Sequence, residues 1–516
     1  MNYSSSDIEH IESLGLSLAD VEKQLEHYKS PPSCVNLKAS ATLGNGIIKL
    51  SDLEINEFIE YYEEQNTCLA VVKFTPASGA ASRMFKMLHE FLADYDPQKE
   101  SINSYINKNK ITELFLFFVT IEKLPFHDEA VAKMRAMIPD YDLLTLDQRR
   151  LLFVKTVLQE SYLNYSNIPK GLLPFHKYKN HISTAFEEHL FEAAKYASVN
   201  GKAVLHFTIT KTHLEQFQTK LASIQEQVES KTNTSFEITF SNQEPNTDVL
   251  AVDLKNEPFR LKNKLLFRPS GHGALIKNLN QIDADIIFVK NIDNVVVNKY
   301  LDEIATYKKA LAGILLKTQS QAFAYASALE AKDISKDKIE EIVKFLTQNL
   351  NIVISSQFRK YANKHKIEYL KSKINRPIRV CGMVKNESEP GGGPFWVKHE
   401  NGEISLQIVE ASQVDINLKN QKSILTNATH FNPVDIVCGV KNHKGKAYDL
   451  EQFIDSNTYF ATTKTKYGQK LKTLERPGLW NGSMADWNTI FVEVPIITFN
   501  PVKRVNDLLK FTHQVK

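Results

Sequence analysis

The chain has 516 residues, with 63 Lys and Arg against 60 Asp and Glu, 42% hydrophobic and 24% charged positions. This is the composition of a folded globular protein several domain equivalents long. The near-balanced charge makes no case for a nucleic-acid partner, although a small anionic ligand needs only local positive charge. Cys34, Cys68, Cys381 and Cys438 are widely spaced with no C-x-x-C pair, which argues against a disulfide framework or a zinc site. No stretch approaches the roughly 18 apolar residues of a membrane span, and the first residues lack a leader pattern. A cytoplasmic protein without membrane contact is the expectation.

In chain order, amphipathic helices are predicted over 7–30 and 51–65, making residues 1–66 an N-terminal helical extension to a domain at 67–516. A strand at 68–74 runs into a loop of small residues, Ala77, Ser78, Gly79, Ala80, Ala81 and Ser82, and Arg83 then opens a predicted helix. Small side chains let backbone N–H groups close on phosphate oxygens. The helix start adds partial positive charge, and Arg83 adds a full one. Such turns are also common packing devices. The pattern stays helical from about 84 to 165. Strands predicted at 203–209, 236–240, 264–267 and 286–289 then alternate with helices at 185–197 and 213–227, the signature of an α/β sheet. A second strand-free helical block covers 298–373. Strands follow at 377–383 and at 395–397 and 404–409, the last two flanking the hairpin turn Asn401-Gly402. The tail reads as a strand (491–499) and a helix (501–509).

Four further segments carry candidate chemistry. Lys170, fixed between Pro169 and Gly171, is placed to point a charge from a loop, or is a solvated lysine. Gly271 and Gly273 would let a planar ring or ribose approach the backbone, or simply form a tight turn. Asn291 and Asp293 are two apart at the carboxyl end of the strand 286–289, hence on one face, where open α/β sheets bind ligands. Asp293 is a candidate oxygen ligand for Mg²⁺, or a cap. Lys503 follows a strand and Pro501 at the start of the predicted tail helix, placed to point a charge at a fixed position, or is a surface lysine.

Taken in order, these segments resemble the UDP-sugar pyrophosphorylases, a family with a glycine-rich strand–loop ending in Arg, a Pro-Lys-Gly segment and a Gln after a strand. The family continues with a Pro-x-Gly-x-Gly loop, an Asp-Asn pair ending a strand, and a Phe-x-Pro-Val-Lys tail. Residues 77–83, Pro169-Lys170-Gly171, Gln243, 269–273, Asp293-Asn294 and 499–509 match these in sequence. Residues 407–413, with Glu410, and 427–431, with Asn427, are similar to its sugar-contacting segments. Ala and Ser replace most glycines of the first loop, as in a divergent bacterial branch.

The resemblance implies a Rossmann-like α/β fold with a mixed, mostly parallel sheet of the nucleotide-diphospho-sugar transferase type, interrupted by two large helical insertions at 84–165 and 298–373. It implies a nucleotidyltransferase joining a nucleoside triphosphate, UTP first, to a sugar 1-phosphate with release of pyrophosphate. Arg83, Lys170 and Lys503 would be catalytic, and Asp293 would hold Mg²⁺. Ala77, Ser78, Gly79, Ala80, Gln243, Gly271 and Gly273 would bind the nucleotide, and Asn291, Glu410 and Asn427 the sugar. A binding protein that has lost turnover, and a glycosyltransferase on the same core, stay open. The sequence does not give the oligomeric state.

Overall fold

A computed structural model describes residues 3–30, 34–331, 334–387, 391–431, 435–466 and 469–515. The chain is mixed α/β and divides into two compact units. The first comprises 1–74, 241–289 and 306–496, and the second 75–240, 290–305 and 497–516.

The first unit is built on a sheet whose inner strands are apolar on both faces. Ile286–Val289 and Ile378–Met383 are buried at every position, the pattern of strands covered on both sides. Val71–Pro76 pairs parallel with Ile286–Val289, and Ile378–Met383 pairs parallel with Asn488–Glu493. Asp435–Gly439 runs antiparallel between these two pairs. The sheet is therefore mixed, with parallel pairings on either side of one reversed strand. It buries charge as well: the Arg379 guanidinium, opposite Cys438, donates to Thr489 Oγ1 at 2.9 Å and to the Trp480 carbonyl at 2.6 Å.

The described residues of 1–66 hold three α-helices, each opened by a serine cap that accepts from the N3 amide: Ser4 with Asp7, Ser17 with Asp20, and Ser51 with Glu54. Three short strands, Leu37–Ser40, Thr42–Leu43 and Gly46–Ile48, also lie there. Ile11, Leu16, Val21, Leu25 and Tyr28 form a buried cluster with Val249, Leu250, Val252, Leu265 and Leu474. The Tyr28 hydroxyl donates to the Leu250 carbonyl at 2.6 Å and accepts from the Leu474 amide at 2.8 Å. The Asn401-Gly402 hairpin forms as expected, joining Gly393–Lys398 to Ile404–Val409 with Gly402 at φ +81°. The block at 298–373 contains Leu301–Glu330, Lys336–Gln348 and Asn363–Ile374, with no strand among its described residues.

In the second unit, five helices (Lys86–Asp94, Ile102–Asn109, Thr112–Val119, His127–Met137 and Leu146–Leu158) occupy the stretch read as helical. Phe85, Phe91, Phe117, Phe126, Phe153 and their neighbours supply its core. Within 114–118, Leu114, Phe117 and Phe118 join this core, whereas Phe115 and Leu116 are exposed. The strand Lys202–Ile209 carries the helices Ala185–Tyr196 and Leu214–Thr232 on either side of it in sequence, and Phe186 meets Phe207 edge-on at 4.7 Å. The tail departs from expectation. Its strand ends at Glu493, before Pro495, with a 3₁₀ turn at Ile496–Thr498 where strand was expected, and a 3₁₀ turn at Val505–Leu509 replaces the predicted helix. No helix among the described residues is long and apolar enough to cross a membrane.

Candidate functional site

The small-residue loop leaves the strand Val71–Pro76 and is tied down at both ends. The Ala77 amide donates to the Thr208 carbonyl at 2.8 Å, and the Ala81 amide to the Ile168 carbonyl at 3.3 Å. The Lys170 amide donates back to the Gly79 carbonyl at 3.1 Å. Ala80 thereby bridges to Pro169, and Lys170 is set beside the loop. Ser78, Gly79 and Ala80 between these anchors are exposed, and among the described residues their amides donate to nothing. Arg83 is exposed too, without an ion pair among the described residues. It does not open an α-helix: it ends the 3₁₀ turn Ala81–Arg83, and the helix begins at Lys86 without a side-chain cap.

Lys170 is the centre of the assembly. Its ammonium donates to Asp293 Oδ2 and to the Val502 carbonyl, both at 2.8 Å, with Lys170 and Asp293 side chains each 17% exposed. Two of its three N–H donors are used by these groups, and the third makes no bond among the described residues. Gly171 permits this approach, since a Cβ there would meet the Ile292 side chain at 3.1 Å. Asp293 does not sit on a strand. The strand ends at Val289, and the Asn294 amide closes a turn onto the Asn291 carbonyl at 3.2 Å. The two-residue spacing of Asn291 and Asp293 therefore does not place them on one strand face. Asn294 braces the turn from behind: its Oδ1 accepts from the Asn500 amide at 2.7 Å and its Nδ2 donates to the Thr498 carbonyl at 3.1 Å. The Val502 amide donates to the Asp293 carbonyl at 3.2 Å. Lys503 follows directly, exposed, with its ammonium 5.8 Å from the Phe499 ring centroid. The second unit thus brings Ser78, Gly79, Ala80, Lys170, Asp293 and the backbone before Lys503 into one bonded constellation.

In the first unit, Gln243, the 271–273 loop and Glu410 meet a segment that sequence reasoning passed over, 475–481. Gln243 Nε2 donates to Thr247 Oγ1 at 3.1 Å, and Ser270 and Arg476 both donate to the Thr247 carbonyl, at 2.7 and 3.1 Å. A Cβ on Gly273 would lie 2.1 Å from the Pro477 carbonyl oxygen. One on Gly271, at φ +82°, would lie 2.6 Å from Glu475 Oε2. The backbone of Pro477 accounts for Gly273, and a left-handed φ accounts for Gly271. His272 stacks on Trp480 at 4.4 Å, and Asn481 Nδ2 reaches Glu410 Oε1 at 3.5 Å. Glu410 lies just past the strand and caps the turn 411–413. Asn427 is exposed at the end of the helix Lys419–Thr426 and bonded to Ser423. A cavity of about 420 Å³ lies against Gly273, with Thr247, Arg476, Tyr459, Lys23 and His27 in its wall.

The DUF4301 family, described as a domain of unknown function, matches residues 4–514. The chain belongs to this family. Among curated proteins none matches the DUF4301 chain. Its fold is similar to that of a UDP-glucose pyrophosphorylase from Leishmania major solved with UDP-glucose, with a TM-score of 0.44 at 12% identity over 98% of this chain and 79% of that one. It is also similar to the uridine diphosphate N-acetylglucosamine pyrophosphorylase of Trypanosoma brucei solved with an inhibitor, with a TM-score of 0.46 at 10% identity over 95% and 74%.

Among the described residues of the DUF4301 chain, no three His, Cys, Asp or Glu side chains gather as a metal-binding group. Asp293 is a single carboxylate already engaged by Lys170. Such a residue fits Mg²⁺ only where phosphate oxygens and water supply the other ligands. What the constellation offers on its own is backbone donors, an oriented ammonium and a lysine-bearing loop, all suited to a polyanion.

Proposed function

We propose that this chain is a nucleotidyltransferase joining a nucleoside triphosphate, UTP in the first instance, to a sugar 1-phosphate. The observation that carries the reading is the placement of Lys170 against both the free-amide loop and the Asp293–Val502 turn. Three segments far apart in sequence, each singled out by its resemblance to the UDP-sugar pyrophosphorylases, are bonded to one another at that lysine.

In the proposed reaction an oxygen of the sugar 1-phosphate forms a bond to the α-phosphorus of the triphosphate. The bond from the α-phosphorus to the bridging oxygen breaks, and pyrophosphate leaves with the electron pair. Positioning and charge neutralisation carry such a step, with no covalent nucleophile. The loop amides of 78–80 and Arg83 hold the departing phosphates, and Lys170 and Lys503 align the reacting ones. Asp293 is the residue that would hold Mg²⁺, which when bound to phosphates spreads their charge. Gln243, Gly271 and Gly273 are assigned to the nucleotide, and Asn291, Glu410 and Asn427 to the sugar.

The test is pyrophosphate release from nucleoside triphosphates with a panel of sugar 1-phosphates. Turnover that falls at least about a hundredfold in Arg83→Ala and Lys503→Ala is expected. Full activity in either variant overturns the assignment. UTP binding by calorimetry without exchange of labelled pyrophosphate would instead identify a binding protein on this fold.

A further inference from the structure

Behind the lysine loop lies a buried chain of groups that the proposed reaction does not use. His176 Nδ1 is 2.8 Å from Glu188 Oε1, His176 Nε2 is 2.9 Å from His513 Nδ1, and His513 Nε2 is 3.0 Å from the Asn500 carbonyl oxygen. His176 and Glu188 are fully buried and His513 is 1% exposed. The links come from the strand Pro174–Lys177, the helix Ala185–Tyr196 and the 3₁₀ turn Phe511–His513.

Counting hydrogens fixes the state of this chain. A carbonyl oxygen only accepts, so His513 Nε2 carries a hydrogen. Burial and the neighbouring His176 hold His513 neutral, with its pKa lowered to about 3. Its Nδ1 is then bare and accepts from His176 Nε2–H. The remaining contact, His176 Nδ1 to Glu188, needs a third hydrogen. Two neutral imidazoles carry only two. The third is therefore a proton held by the pair, either on the imidazole facing a carboxylate or on the carboxyl facing a neutral imidazole. The surrounding groups bear on where it sits: the Tyr178 hydroxyl donates to Glu188 Oε1 at 3.1 Å and favours the carboxylate form, His181 stacks on Tyr178 at 4.9 Å and lies 3.7 Å from Glu187, and the positive charge of Lys510 keeps the extra proton off His513.

We propose that Glu188, His176 and His513 form a proton-holding brace that positions the 499–503 loop against the Asp293 turn. Asn500 is gripped on both sides, its carbonyl by His513 and its amide by Asn294. Two residues on, the Val502 carbonyl receives Lys170. The brace thus sets where Lys503 and Lys170 stand relative to each other. His513 and His176 are positioning residues, and their effect on turnover rests on the proposed function. The brace itself does not.

Two measurements separate the two. Neutron diffraction from deuterated crystals, or ¹⁵N shifts of labelled histidines in the full chain, reads the protonation without any variant. The expectation is His513 in the Nε2–H form, His176 Nε2 carrying hydrogen, and one deuteron between His176 Nδ1 and Glu188; His513 in the Nδ1–H form overturns the proposal. The second measurement is hydrogen exchange across 497–507 in two variants. His513→Gln places an amide nitrogen where Nε2 stands and keeps exchange within about twofold of wild type. His513→Asn leaves the Asn500 carbonyl without a donor and speeds exchange about tenfold or more. Where turnover is measurable, His513→Asn raises KM for the triphosphate and His513→Gln restores it. Equal exchange in both variants removes the brace and leaves the proposed function standing. Unequal exchange in a chain that turns nothing over supports the brace and not the function.

Discussion

Replacing Lys170 by methionine keeps the length and apolar stem of the side chain and deletes only the ammonium. Two acceptors lose their donor, Asp293 Oδ2 and the Val502 carbonyl. Leaving a polar group unpaired costs about 1–3 kcal/mol when it is buried. With both side chains 17% exposed, water can reach part of the gap, and a net loss of about 1–2 kcal/mol of stability is expected. Under the proposed function the effect on turnover is larger, because a preorganised positive charge aimed at phosphate would be worth about 3 kcal/mol in the transition state. That corresponds to a fall of about a hundredfold or more in kcat/KM. Urea unfolding and pyrophosphate release, run on the same preparation, give both numbers. Lys170→Arg retains the charge but not the reach of a single nitrogen into the Asp293–Val502 gap, so it recovers part of the activity at most. A Lys170→Met protein within about twofold of wild type in kcat/KM would show that the constellation is a structural clasp and refute its catalytic reading.

Three further outcomes follow from the geometry. Gly273→Ala drives a methyl into the Pro477 backbone and should cost about 1–3 kcal/mol by urea unfolding, whereas Gly79→Ala, with nothing within 4 Å of its Cβ, should leave stability unchanged within about 0.5 kcal/mol. Burial lowers the pKa of His206 to about 4, below its value of about 6.5 when unfolded. Its neutral form is favoured in the fold, so stability is lost as pH falls from about 6.5 through 4. His206→Gln should therefore flatten the stability profile across that window, and an unchanged slope would exclude His206 as its source. Cys34 and Cys68 are exposed while Cys381 and Cys438 are buried, with the Cys381 thiol pushed up to about 11 by burial. A thiol reagent at pH 8 should modify the first two in the native protein and the others only after unfolding.

The parts of the fold that could be read from sequence are those where local chemistry and tertiary environment agree. The strand Ile286–Val289 is an apolar run because both its faces are covered, and Asn401-Gly402 makes its hairpin because Gly402 takes the left-handed conformation the turn needs. The hairpin Phe460–Lys466 and Gln469–Glu475 was not legible. Its Thr- and Lys-rich strands carry little apolar signal, and it is held instead by backbone pairing and a few inward residues such as Leu471 and Leu474. In the site, single residues followed by turn-formers could be found, among them Lys170 and Asp293. Their conformations could not, since a turn at 291–294 and a 3₁₀ segment at 81–83 look like strand end and helix start in a linear pattern. The brace had no sequence signature at all: His176 lies 12 residues from Glu188 and 337 from His513, and no spacing rule joins groups that meet only after folding.

The first loop sharpens the question of what a glycine there is for. Glycine is required where φ is positive or where another group comes too close for a Cβ. Neither condition holds at Gly79: its φ is not in the left-handed region, and a Cβ would meet open space. Ser78 and Ala80 likewise keep ordinary backbone conformations. The loop presents its amides because Ala77 and Ala81 are anchored to 208 and 168 and Gly79 accepts from Lys170, not because its own residues are unusually free. Replacing glycines by Ala and Ser therefore leaves the backbone donors in place and adds only methyl and hydroxymethyl groups at exposed positions. Under the proposed function, any loss relative to a glycine-rich loop should fall on how closely a phosphate can approach those amides. Ala80→Gly tests this directly, through a lower Kd for pyrophosphate by calorimetry with an unchanged Kd for Ala77→Gly, whose side chain is buried. A parallel change in both would mean that loop flexibility, and not the space over the amides, sets the affinity.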